Sequence, residues 1–237
     1  FIITKVWPAL WNRAEFSVKK SLKDLAIGYV DLVLQHWPVA FKGTDEKGEP
    51  KVPYVDGVLQ FDEHGDYLET YKQLVKMRDE TTLVKSVGVS NYTEKHLDRV
   101  IAETGVVPVI NQIELHPRIP QKKLVQYFEE KGVKIEAYFP LGSEGAPMLK
   151  EPAVGEVAKK YGVSAAAVLV SYHILSGRVV VCRSTKTERV KTFGELAPLP
   201  VEDIAKLEEV GIKEPKRFIN DDWGVGLGFE AWKTKYS

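Results

Sequence analysis

The chain has 237 residues, 44% hydrophobic and 28% charged, enough to build a sizeable core and to read as one soluble domain, with two as the alternative. Lysine plus arginine number 33 and aspartate plus glutamate 33, so the zero net charge argues against a general nucleic-acid or membrane-surface binder while leaving room for a local basic site. One cysteine, Cys182, excludes an intrachain disulfide; with no apolar run of membrane-spanning length and no charged-then-apolar leader, the composition points to the cytoplasm.

The chain opens on Phe1-Ile2-Ile3-Thr4, a buried-strand pattern leading to Lys5-Val6-Trp7-Pro8. Domains seldom start inside a core strand, so this reads as a chain lacking its N-terminal part. Ser17 is placed to cap a helix with Val18, Leu22 and Leu25 at helical spacing. Tyr29 to Gln35 is a near-continuous apolar run, as in a strand buried on both faces, and it delivers His36 just before Trp37 and Pro38. By periodicity alone His36 is better explained as a partly buried imidazole satisfied by a backbone partner. Residues 42–65, rich in Gly, Pro and charge, read as a long surface loop.

A helix carrying Leu68, Tyr71, Leu74 and Val75 follows, then the strand Lys85 to Asn91. Thr93 can cap the next helix, and Val109 to Leu115 is a strand followed by His116-Pro117. A helix over Gln121 to Lys131 ends where Gly132 supplies a C-cap, and Val133 to Tyr138 is the next strand. Two helices follow, the second capped by Ser164; then come the strand Val179 to Cys182, a helix with Arg189, and a last helix with Ile204, Leu207 and Val210. The tail from Lys216 reads as an ordered flap containing Trp223, Phe229 and Trp232.

Strands apolar throughout and alternating with helices imply α/β architecture with a parallel sheet. No Gly-x-Gly-x-x-Gly follows any strand, so a closed barrel is preferred to a doubly wound sheet. Six strands are legible where a barrel has eight. Each missing strand–helix unit takes roughly 30 residues, so about 60 upstream would close it. The strand exits carry Lys5, His36, Ser90-Asn91, Gln112, Tyr138 and Arg183-Ser184. Each alone has a bland reading as a rim, turn or core residue. Together they fall on the face where barrel chemistry gathers.

These segments resemble the aldo-keto reductases: Ile3-Thr4-Lys5-Val6-Trp7, Tyr29 to Leu32 through His36-Trp37-Pro38, Gly88 to Tyr92, Asn111 to Pro117, Ala137 to Ser143, and Arg183-Ser184 with Arg189. Within that family the look is of fungal polyol and glycerol-type reductases. The resemblance implies an (α/β)8 TIM barrel, here cut to about six units, and NADPH-dependent interconversion of carbonyls and alcohols of small polyols or sugars. It implies that Lys5 is the lysine that depresses the pKa of a proton-donating tyrosine, and His36 the histidine that orients the substrate oxygen. A cation beside a phenol favours the phenolate, and an imidazole N–H can donate to a developing alkoxide.

By the same resemblance Ser90, Asn91 and Gln112 hold the nicotinamide carboxamide, Tyr138 stacks on its ring, and Leu141 and Ser143 approach the pyrophosphate. Arg183, Ser184 and Arg189 would clamp the adenosine 2′-phosphate, favouring NADP. Trp7 and Trp37 would wall the substrate pocket and Asn220 and Trp223 close it, in a flap over about 213–237. No metal is implied, the partner is a small molecule, and the complete protein is expected to be a monomer. The sequence departs from the pattern at Arg183 where lysine is usual, at Cys182 in place of proline, and at Thr192-Phe193 near the adenine. The family's proton-donating tyrosine and its aspartate match no position here, so the chain alone is expected to be nearly inactive. That gap also suits an alternative, a nucleotide-binding barrel acting as a non-enzymatic partner or sensor. A barrel hydrolase needs paired carboxylates at strand exits, and only Glu114 approaches one.

Overall fold

The computed structural model describes residues 1–43, 51–184, 186–219 and 226–232. They divide into two compact units, one built on Phe1–Asn111 with Tyr127–Val133, the other on Gln112–Gln126 and the described residues from Lys134 onward.

The first unit begins with β1 (Ile3–Val6), α1 (Ala14–Leu25) and β2 (Leu32–Gln35). β1 and β2 are parallel, with Lys5 opposite Leu34 and Val6 opposite Gln35. Ser17 lies inside α1, not at its start: the helix begins at Ala14, whose N–H donates to Gln73 Oε1, so a tertiary partner caps what the sequence pattern left open. Within the expected surface loop, β3 (Tyr54–Val55) and β4 (Val58–Leu59) form a short hairpin. It is secured by buried Leu59 and an edge-to-face contact of Phe41 with Phe61. The sequence pattern hid this hairpin because its residues Tyr54, Val55 and Val58 are exposed.

α2 (Tyr67–Glu80) starts at Asp66, whose carboxylate accepts from the Leu68 N–H. β5 (Val87–Ser90) pairs in parallel with β2. α3 (Glu94–Thr104) follows Thr93, as expected from the sequence, and β6 (Ile110–Glu114) starts beside β5 through Val109 N–H to Val87 O. The order in this unit is β1-β2-β5-β6. Its core is Val33, Leu34, Leu74, Val89, Tyr92 and Leu97, all fully buried.

The second unit takes up the end of β6 and the first part of α4 (Lys122–Glu130), as far as Gln126, and then β7 (Lys134–Tyr138), α5 (Pro152–Tyr161), α6 (Ala165–Leu175), β8 (Val179–Val180), α7 (Thr187–Thr192) and α8 (Val201–Lys213). The order here is β6-β7-β8, with β7 and β8 parallel. Ser164 caps α6 by accepting from Ala167 N–H. Val154, Val157, Val168, Leu169, Tyr172 and Leu207 pack into one buried cluster under α5, α6 and α8. Gly211 of α8 lies so close to the Pro117 carbonyl that a Cβ would come within 2.4 Å of it. No described helix is long and apolar enough to cross a membrane.

Candidate active site

Side chains alternate along a strand, so register fixes which residues share a face. Thr4 on β1 points toward α1, its hydroxyl 3.0 Å from Ser21 Oγ. Lys5 therefore points to the other face, beside Leu34, and His36 lies on that same face two residues on. Gly88 and Ser90 of β5 share it, Gly88 lying opposite Leu34. A Cβ on Gly88 would come within 2.7 Å of a Leu34 methyl and 3.0 Å of the Ile110 carbonyl, so close strand packing here needs glycine.

The backbone of His36 is tied down on both sides. Its N–H donates to Val6 O at 3.0 Å, and its carbonyl accepts from Asn91 Nδ2 at 3.0 Å. The ring lies edge-on to Trp7, centroids 5.0 Å apart, and stacks along Trp37 at 6.4 Å. Trp7 in turn packs edge-on to Phe41. This half-buried, aromatic setting and then the Lys5 ammonium push the imidazole pKa down to about 3. The ring is neutral at physiological pH. It offers one N–H donor and one lone pair.

Asn91 adopts a left-handed backbone (φ 61°), a conformation asparagine tolerates better than most residues. Its amide nitrogen faces the His36 carbonyl and Ser90 Oγ, so its carbonyl oxygen is turned the other way as an acceptor. Behind this exit Asn111 exchanges two bonds with the Tyr92 backbone, and the buried Tyr92 hydroxyl donates to Gln35 Oε1 at 2.6 Å. Tyr92 is thereby a structural group, its hydroxyl pKa raised by burial.

In the second unit, Gln112 and Glu114 of β6 share one face, as do Glu136 and Tyr138 of β7. Gln112 Nε2 donates to Glu136 Oε2 at 2.6 Å. Tyr138 is half-buried and packs edge-on to Phe139; burial, then the Glu114 charge, hold its hydroxyl well above the usual phenol range. It suits a stacking platform and not an acid. Leu141 and Ser143 lie in the turn after β7, where Gly142 has φ 82° and a Cβ would strike Pro147 at 2.7 Å. Arg183 is exposed and Ser184 half-buried after β8, with Ser184 Oγ accepting from Lys186 N–H. An exposed guanidinium beside a hydroxyl is a donor set that fits a phosphate dianion. Arg189 lies in α7, and Asn220 and Trp223 fall outside the described residues.

The buried roles of two carboxylates, Glu114 and Glu136, are not visible in the sequence. Glu114 is fully buried and accepts from the Phe218 N–H (2.6 Å), the Ile219 N–H (3.1 Å) and Arg217 Nη1 (3.4 Å), with His116 Nε2 at 3.0 Å. This knot anchors the chain after α8, which disqualifies Glu114 as a hydrolytic acid. Glu136 was legible only as the middle member of Lys134, Glu136 and Tyr138, the same-face series of β7.

Residues 1–212 match the aldo/keto reductase family. The chain is 36% identical over 236 residues to D-galacturonate reductase of Hypocrea jecorina, covering 97% of this chain and 75% of that protein. It is 35% identical over 240 residues to glycerol 2-dehydrogenase (NADP(+)) of Saccharomyces cerevisiae, covering 98% and 76%. Among solved structures, aldose reductase from Giardia lamblia superposes with a TM-score of 0.86 at 27% identity, covering 97% of this chain and 78% of that one. The parallel strands and their helices are thus those of an (α/β)8 barrel, and the chain belongs to the aldo/keto reductase family of oxidoreductases.

Proposed function

We propose that the chain carries the substrate-orienting and cofactor-holding parts of an NADPH-dependent reductase of small polyol or sugar carbonyls, acting in the cytoplasm as a monomeric single-domain barrel. The observation that carries this reading is Lys5 and His36 on one face of two adjacent parallel strands, with Trp7 and Trp37 around the imidazole. When bound, NADPH supplies a hydride. His36, held neutral, donates its N–H to the substrate oxygen and so holds the carbonyl where charge develops. The Lys5 ammonium adds a fixed positive charge on the same side. Ser90, Asn91 and Gln112 offer hydroxyl and amide groups to a carboxamide, Tyr138 a stacking face, and Leu141 with Ser143 a turn beside the pyrophosphate. Arg183, Ser184 and Arg189 grip a 2′-phosphate. The residues from about 213 onward, with Asn220 and Trp223, serve as a flap over the substrate.

The fungal relatives named for D-galacturonate and glycerol support this substrate class. No position among the 237 residues matches the family's proton-donating tyrosine, so this chain by itself turns over slowly, since a general acid is typically worth roughly 10²–10⁴-fold. Turnover of glyceraldehyde by the isolated chain at about 10 s⁻¹, an ordinary enzyme rate, would contradict this.

Nucleotide binding tests the cofactor reading directly. Titration with NADPH and NADH should show a clear preference for NADPH, and Arg183→Ala should weaken NADPH by roughly tenfold or more while leaving NADH within about twofold. Equal losses for both would refute the phosphate clamp. A panel of glyceraldehyde, dihydroxyacetone and uronic acids would then define the substrate class.

A further inference from the structure

Phe139 follows β7 directly, between Tyr138 and Pro140, and its backbone is left-handed, with φ 54°. That conformation is uncommon for residues other than glycine and is an outlier for a bulky aromatic. The next residue sharpens the conflict, because a residue before proline is pushed toward extended backbone. The turn holds Phe139 in place nonetheless. Its carbonyl accepts from the Gly142 N–H at 2.8 Å, and Gly142 itself has φ 82° where a Cβ would strike Pro147. Burial does not explain the strain, since Phe139 is still 37% exposed. The ring packs edge-on to Tyr138, centroids 5.4 Å apart and planes at 83°. Glycine or asparagine would adopt the same backbone more easily.

Strained backbone persists where its surroundings enforce it, and it gathers at ligand clamps and active sites. Here the strain leaves a large apolar ring partly in solvent at the exit of β7. We infer that Phe139 is a cofactor-contacting residue whose exposed ring forms an apolar wall against the nicotinamide half of the dinucleotide. A ligand seated against it would take the exposed part of the ring out of water, which favours binding. A planar pyridine and the C–H groups of its ribose suit such a wall, because aromatic rings pair well edge to face. This role rests on the nicotinamide reading above and adds to it a contact from the turn after β7.

Two ligands separate the halves of the cofactor: NADP+, and adenosine 2′,5′-bisphosphate, which lacks the nicotinamide half. Each is titrated by calorimetry against the wild-type chain, Phe139→Asn and Phe139→Tyr, with a thermal melt of every protein. Phe139→Asn should bind NADP+ about five- to tenfold more weakly, the loss expected for one aromatic contact, and bind the bisphosphate within about twofold of the wild type. It should melt no lower than the wild type, since asparagine accepts the left-handed backbone that phenylalanine resists. Phe139→Tyr keeps the ring and should hold NADP+ affinity within about twofold. Wild-type NADP+ affinity in Phe139→Asn overturns the contact alone, as does Phe139→Tyr binding as weakly as Phe139→Asn. A parallel loss of bisphosphate affinity, or a lower melting temperature in Phe139→Asn, also overturns it by marking the ring as a packing group. A wild type that binds no nicotinamide dinucleotide overturns the cofactor reading with it.

Discussion

Burial among Trp7 and Trp37, with the Lys5 ammonium on the same face, keeps His36 from accepting a proton until about pH 3, so its part in any reaction is that of a neutral donor. The two causes can be separated. Lys5→Met removes the charge and leaves the aromatic walls, so the His36 pKa should rise but stay below the ordinary value near 6.5. Ring-proton shifts followed by NMR between pH 8 and 3 would show this, and an unchanged titration would mean that Lys5 does not act on the ring. His36 itself was legible in the sequence because an apolar run ended in an imidazole. The aromatic walls were legible as its neighbours Trp37 and, on the preceding strand, Trp7. Glu136 and Gln112 were less so, because a hydrogen bond between two strands leaves no periodic trace in either one.

At the scale of the element, the start of α3 has an unusual second half. Thr93 N–H donates to His96 Nδ1 at 3.2 Å, and Thr93 Oγ1 lies 2.9 Å from the same nitrogen. Histidine here takes the place usually filled by Glu or Gln in a capping box. Accepting requires Nδ1 unprotonated, and burial, then the Arg99 and Lys95 charges, hold the His96 pKa down to about 4. His96→Gln should keep the cap and remove its pH dependence. Thr93→Ala should destabilise the chain by about 0.5–2 kcal/mol, read from urea unfolding. Gly88→Ala in β5 should cost about 1–3 kcal/mol, because the new methyl group meets the Ile110 backbone and a Leu34 methyl that have little room to move. The caps at Thr93 and Ser164 could be read from residue type alone. α1 could not, since a glutamine 59 residues away completes its start. The β3–β4 hairpin was hidden for a similar reason, its anchors Phe41 and Phe61 lying outside the two strands.

For the molecule as a whole, four of the five histidines have lowered pKa values. His36 and His96 fall to about 3 and 4, and buried His116 and His173 are also pushed down, each chiefly by burial. The unfolded chain would protonate them near pH 6.5. Below that pH the unfolded state binds more protons than the folded one. Their contribution to stability is therefore complete above about 6.5 and is lost as the pH falls toward 4 and 3. The urea midpoint should be lower at pH 5 than at pH 7.5, and a midpoint unchanged across that interval would contradict the assignment of these rings as neutral.

The Glu114 knot bears on the order in which the chain can be made. Three of the groups that hold this buried carboxylate, Arg217 and the Phe218 and Ile219 amides, lie 103, 104 and 105 residues further along. During synthesis β6 leaves the ribosome with an acidic side chain whose partners do not yet exist, and water must solvate it until they arrive. At roughly 5–20 residues per second that interval lasts about 5–20 s. A chain stopped after α8 would keep the carboxylate with His116 as its remaining donor among those described. The segment after α8 thus acts as a checkpoint, and completion of the second unit waits until synthesis has passed Ile219.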